Sequence, residues 1–284
     1  MNHYFFERTK KSPTYVCGIC IFVVIKYFLM KYIFTLITLL LLFSCKNYKK
    51  VNIKIKEVPA ILYLSKKYDK NINNNLVIYI PGNNQQYTKK TSDKSFYWLM
   101  DNNYSFACIQ IQDKSLPPYD NNNSGWGNDE AYNRVLNLYK FLNEKYKFND
   151  EVIIIGASMG GLTMGQILVR DDIKVKLAIG MGPVPSLQTI WKNAPERRVP
   201  IRNSYSLKLD GSEDLKMDSI FKKNDWKYLM QNSNKRIKPT YLYYGIDNVF
   251  EKDFGGLDEY IKLENILKIK SEKTVLKTNN SITH

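Results

Sequence analysis

Residues 152–162 read Val152-Ile153-Ile154-Ile155-Gly156-Ala157-Ser158-Met159-Gly160-Gly161-Leu162. Four consecutive β-branched residues suit a strand buried on both faces, and the stretch from Gly156 to about Arg170 reads as a turn running into a helix. A serine hydroxyl is a weak nucleophile until a base is aligned to take its proton. A sharp strand-to-helix turn holds that oxygen clear of the backbone, where base and substrate can both reach it. Gly156 and Gly160, two residues either side of Ser158, are expected because strand and helix approach too closely there for side chains. The N–H of Met159 opens the helix, so this N–H and the helix dipole are placed to stabilise an oxyanion.

On either side of this turn the chain alternates strands with helices. Leu76 to Ile80 is a short apolar run stopped by Pro81-Gly82, and Phe106 to Ile111 is a second run of the same kind. From Glu130 to Tyr146, Ala131, Val135, Leu138, Leu142 and Tyr146 recur at helical spacing. Further strands are expected near Val175 to Met181, at Thr240 to Tyr244 and at Lys273 to Lys277, with a hairpin from Val51 to Lys56 and Ile61 to Ser65 at the sheet edge. Residues 186–238 lack a clean period but hold Trp191, Phe221, Trp226 and Met230, and read as a small cap. The pattern implies an α/β domain with a mostly parallel sheet flanked by helices.

The composition limits the chemistry. Of 284 residues, 44% are apolar, enough for a sizeable core, and only two are histidine and four cysteine, too few soft ligands for a zinc cluster. No metal and no cofactor is expected. The 42 Lys and Arg against 27 Asp and Glu give a formal charge of +15. These lysines are scattered, without a basic helix or an aromatic RNA-binding pattern, so a solvated surface near lipid head groups is favoured over nucleic acid.

With Ile153 to Leu162 in its strand–turn–helix setting, the sequence resembles the α/β-hydrolase superfamily from roughly Leu76 to the C-terminus, serine esterases and prolyl-oligopeptidase-type hydrolases in particular. Leu76 to Asn84 has the position of that family's strand and oxyanion loop, with Pro81 where histidine is usual. The resemblance implies Asn83, with Asn84 next, as the second oxyanion donor beside Met159. It also implies an acid after a later strand and a histidine after the last one. Thr240 to Val249 resembles the acid-bearing strand and turn, with Asp247 as the acid. The commonest Gly-x-x-Asp spacing falls instead on Asn248, and Asp253 stands in reserve. The histidine implied is His284, the final residue, although the family continues with a helix beyond this point.

The first 44 residues read as a targeting element. Ile33 to Phe43 is an apolar run preceded by Met30-Lys31 and followed by Ser44-Cys45 and a basic stretch. Leu42-Phe43-Ser44-Cys45 resembles the lipobox of bacterial lipoproteins, which implies cleavage before Cys45 and a diacylglycerol on its sulfur. Met30 opens a complete signal by itself, so 1–29 is expected to precede the true start, 30–44 to be the signal and 45–284 the hydrolase domain. Together these features suggest a lipid-anchored envelope serine hydrolase that cleaves a carboxylic ester through an acyl-enzyme intermediate. A peptidase with the same triad and a catalytically silent binding lipoprotein are the alternatives.

Overall fold

β-Branched and aromatic runs become strands wherever both of their faces can be covered. The computed structural model describes residues 48–82, 94–111, 125–208, 210–244, 252–270 and 274–278. The strands are β1 (Tyr48–Ile55), β2 (Val58–Ser65), β3 (Asn75–Ile80), β4 (Tyr104–Ile109), β5 (Val152–Ala157), β6 (Val175–Met181), β7 (Thr240–Tyr244) and β8 (Thr274–Thr278). They form an eight-stranded sheet in the order β1-β2-β4-β3-β5-β6-β7-β8. β2 is antiparallel to both β1 and β4, and every pair from β4 to β8 is parallel. Connections leave β3 outward to β4 and then return past it to β5, so the strand order reverses between β3 and β5. Parallel sheets bind ligands at the carboxyl ends of strands beside such a reversal.

Along β3, Leu76, Ile78 and Ile80 face one core and Val77 and Tyr79 the other. That two-sided burial explains why these strands are continuous apolar runs and not alternating ones. The larger core is covered by α2 (Asp129–Lys145), α3 (Gly160–Arg170), α7 (Trp226–Asn232) and α8 (Gly256–Lys270). Asn128 caps α2 by accepting from the Ala131 N–H at 2.9 Å, and Asp129 and Glu130 occupy its first turn, where the helix dipole favours acids. The second core is smaller. There α1 (Lys94–Asp101) packs Phe96 and Met100 against Tyr63, Tyr79 and Phe106.

Outside residues 186–238, where no individual helix is expected from the sequence, two further helices were not foreseen. In α1 the run Phe96-Tyr97-Trp98 has weak intrinsic helix preference, and only the Phe96 and Met100 pair carries the period. In α8, Tyr260, Leu263 and Leu267 form the buried stripe, but exposed Leu257, Ile261 and Ile269 on the other faces blur it. The edge hairpin is present, closed by Lys56 and Glu57 at φ of 47° and 69°. Neither is the Gly or Asn that such a turn favours. Residues 186–238 contain α4 (Leu187–Asn193), a short 3₁₀ turn (Pro195–Arg197), α5 (Arg198–Ser204), α6 (Glu213–Asn224) and α7. Of these, α7 lies against α3, where the fully buried Trp226 indole fills the space over Gly165.

Candidate active site

The turn after β5 is held in a conformation that an L-residue rarely adopts. Ser158 has φ of 46°, and it is half-buried between the buried Ala157 and Met159. Left-handed geometry costs a non-glycine residue about 1–2 kcal/mol, and it persists only where neighbouring groups fix it. Here the Ser158 N–H donates to the Met181 carbonyl at the end of β6 at 3.0 Å. Its own carbonyl accepts from the N–H groups of Gly161 and Val184, both at 2.9 Å. The main chain is tied on three sides, and the side chain is left at the amino end of α3, where the dipole is positive.

The glycines are required by backbone proximity. A Cβ on Gly160 would sit 2.3 Å from the Ile80 carbonyl oxygen and 2.7 Å from that of Pro81; on Gly156 it would meet the Met164 Cβ at 2.8 Å. Two further close approaches escaped the sequence reading. Gly161 faces Pro183, whose Cβ lies 2.3 Å from the position of an added Cβ, and Gly165 faces Trp226 at 2.1 Å. Their signal was the second glycine of the Gly160-Gly161 pair and its repeat four residues on, one helical turn away.

The loop after β6 buttresses the serine from the far side. Gly182, at φ of 50°, donates to the Tyr243 carbonyl of β7, and the Pro183 carbonyl accepts from the buried Tyr260 hydroxyl at 2.5 Å. The Val184 carbonyl accepts from the Trp226 Nε1–H at 3.2 Å. Thus the Val184 backbone links Ser158 to Trp226, and through it to Gly165. Beyond this loop, Asp225 accepts from the Ser186 hydroxyl at 2.6 Å and from the Gln188 and Lys227 N–H groups at 2.9 and 3.0 Å. Burial pushes the Asp225 carboxyl above its ordinary range against these three hydrogen bonds.

Among the residues expected from the sequence, Ser158, Met159, Gly156 and Gly160 are brought together in this turn. Asn83, Asn84, Asp247, Asn248, His284 and Cys45 lie outside the described residues. The strands leading to the first five can be followed. β3 ends at Ile80, β7 at Tyr244 and β8 at Thr278, and all three run parallel to β5. Their carboxyl ends therefore lie on the same side of the sheet as Ser158. Asp253, the reserve acid, is 3% exposed, and its Oδ2 accepts from Arg197 Nε and Nη2 at 3.3 and 3.2 Å. Its charge is thus paired with a guanidinium from the 3₁₀ turn.

Solved structures share this fold. The Pyrococcus furiosus esterase Pf2001 matches with a TM-score of 0.53 at 16% identity, over 82% of this chain and 83% of its own. An S-formylglutathione hydrolase from Agrobacterium tumefaciens matches with a TM-score of 0.65 at 14% identity, over 85% and 90%. This chain has the α/β-hydrolase fold. A Pyrococcus horikoshii acylaminoacyl peptidase also matches, with a TM-score of 0.62 at 13% identity over 84% of this chain, which spans 38% of the peptidase's length. No protein-family model and no curated protein matches the sequence. In this α/β-hydrolase sheet, Ser158 stands at the strand-to-helix turn beside the reversal of strand order.

Proposed function

We propose that the protein is a serine hydrolase that cleaves a carboxylic ester by acyl transfer, held at the cell envelope by a lipid on Cys45. The observation that carries this reading is Ser158 itself, a half-buried serine on a left-handed turn at the amino end of a helix. In the proposed reaction the Ser158 Oγ attacks the ester carbonyl while His284 takes its proton, and Asp247 orients the imidazole and balances its charge. The tetrahedral oxyanion is held by the N–H groups of Met159 and Asn83. His284 then returns the proton to the departing alcohol, leaving Ser158 acylated. Water, deprotonated by the same imidazole, releases the acid and restores the serine.

An ester is favoured over an amide because the esterase and the S-formylglutathione hydrolase match along most of their own length, whereas the peptidase matches over 38% of its own. The test is labelling of the full-length chain by a fluorophosphonate probe, with Ser158→Ala as control. Short acyl nitrophenyl esters are then assayed beside peptide anilides. Labelling confined to the wild type, with ester turnover and an acyl burst, is the expected result. Faster anilide cleavage would redirect the reading to a peptidase, and an unlabelled wild type to a binding protein. The anchor is tested separately by the intact mass of the membrane-extracted protein, with Cys45→Ala as control.

A further inference from the structure

The end of the sheet at which the chain enters β1 is fixed by strand register. Tyr63 pairs with Phe106, Phe106 with Val77 and Val77 with Ile153, so these four residues lie at one level across β2, β4, β3 and β5. Ser158 is five residues beyond Ile153 toward the carboxyl ends. Tyr48 pairs with Ser65, two residues from Tyr63 in the opposite direction. The separation is therefore about seven residue steps along the strands, ~23 Å, and four strand spacings across, ~19 Å, or about 30 Å in all. Three residue steps separate Cys45 from Tyr48 and can span at most ~11 Å. The tether that a lipid on Cys45 would provide is thus short beside the separation of Tyr48 from Ser158.

The same end of the sheet carries an aromatic surface. Trp98 is 63% exposed and Tyr97 38%, whereas Trp126, Trp191 and Trp226 are no more than 6% exposed. The Tyr48 ring lies 5.9 Å from that of Tyr97, which joins the start of β1 to α1. Indole and phenol rings favour the bilayer interface, where the apolar body is buried and the polar tip stays wet. Lys49, Lys50, Lys66 and Lys67, at the paired ends of β1 and β2, are all exposed and outnumber Asp69 and Asp101 nearby. Such a basic rim suits anionic head groups.

We propose that the face made by Tyr48, Tyr97 and Trp98 rests on the anchoring bilayer, so that Ser158 opens to the aqueous side and takes a water-soluble ester instead of a membrane lipid. This orientation rests on the lipid-anchor reading above. The full-length protein is reconstituted into phosphatidylcholine–phosphatidylglycerol vesicles whose acyl chains are either plain or brominated. Tryptophan emission is expected to fall in the brominated vesicles, and Trp98→Ala, an exposed substitution whose fold is checked by circular dichroism, is expected to abolish that fall. In the same vesicles, ester turnover is expected to drop about fourfold per added acyl carbon once the chain partitions into the bilayer, since each methylene must be withdrawn to reach Ser158.

Unchanged emission in protein whose mass shows a lipidated Cys45 overturns the docking face while leaving the anchor intact. An emission change that follows protein concentration and ignores bromination assigns the face to a second copy of the chain and also overturns the proposal. Turnover that rises with acyl length in the bilayer overturns the orientation. If Cys45 proves unmodified, the anchor reading fails, and Trp98-dependent quenching alone then decides the docking face.

Discussion

Gly160→Ala sets two contributions of opposite sign against each other. Helix propensity alone favours alanine over glycine by up to ~1 kcal/mol, so a reading confined to α3 expects a more stable protein. The packing predicts the reverse. An added Cβ lies 2.3 Å from the Ile80 oxygen and 2.8 Å from its carbonyl carbon, both backbone atoms of a central strand. Bringing the nearer contact to a distance that real Cβ atoms reach means opening β3 from α3 by about 0.7 Å, and protein interiors are too closely packed to absorb such a shift freely. Overpacking of this kind costs about 1–3 kcal/mol, leaving a net loss of up to about 2 kcal/mol, or up to ~8 °C in melting temperature for a domain of this size. The displaced atoms lead directly into the loop proposed to carry the second oxyanion donor. Fluorophosphonate labelling is therefore expected to slow by about 10–100-fold, as for other misplacements of this order. Thermal melts and labelling rates of the full chain are the assays. A Gly160→Ala protein that melts at or above the wild type and labels at the wild-type rate would refute the claim that β3 and α3 touch here.

Other perturbations separate strain, charge and catalysis. Ser158→Gly and Ser158→Ala should both abolish labelling, but the glycine variant should melt about 1–3 °C higher, because relief of the left-handed turn outweighs the greater freedom of glycine when unfolded. Burial raises the Glu259 carboxyl, but hydrogen bonds from Lys227, Lys262 and Thr189 outweigh it and hold it down at about 2, below its ordinary 4.5. The unfolded chain therefore takes up the proton first, so the stability Glu259 contributes is complete above pH 4.5 and is lost as pH falls toward about 2. The melting difference between wild type and Glu259→Gln should be constant above pH 5 and narrow below it. Asp247→Asn should reduce kcat by about 10⁴-fold with little change in melting temperature. Arg197→Ala should instead lower stability by about 3–5 kcal/mol, because it removes the guanidinium that faces the buried Asp253 carboxylate, and should leave the pH–rate profile in place. A shifted profile in Arg197→Ala with an active Asp247→Asn would transfer the acid role to Asp253.

What the sequence determined is what local chemistry carries. The apolar run before Gly156 makes a buried strand whatever its neighbours are, and the Gly156, Ser158 and Gly160 spacing announces a tight turn into a helix. The strands at Leu76, Val175 and Thr240 follow from apolar runs in the same way, and the helix read from Glu130 follows from its three- and four-residue period. Helix α8 did not, because apolar residues on its exposed faces hide the buried stripe. Pairing between distant segments decided the rest. Only the assembled sheet inserts β4 between β2 and β3, brings Ile80 against Gly160, and seats Trp226 over Gly165. The φ of 46° at Ser158 belongs to the same class, since its hydrogen bonds reach Met181 and Val184, more than twenty residues away. Nor does any local pattern set Tyr48 at the opposite end of the sheet from Ser158. That follows from register summed across five strands, and register is chosen by the fit of whole faces, a property of the folded chain and not of any one stretch of it.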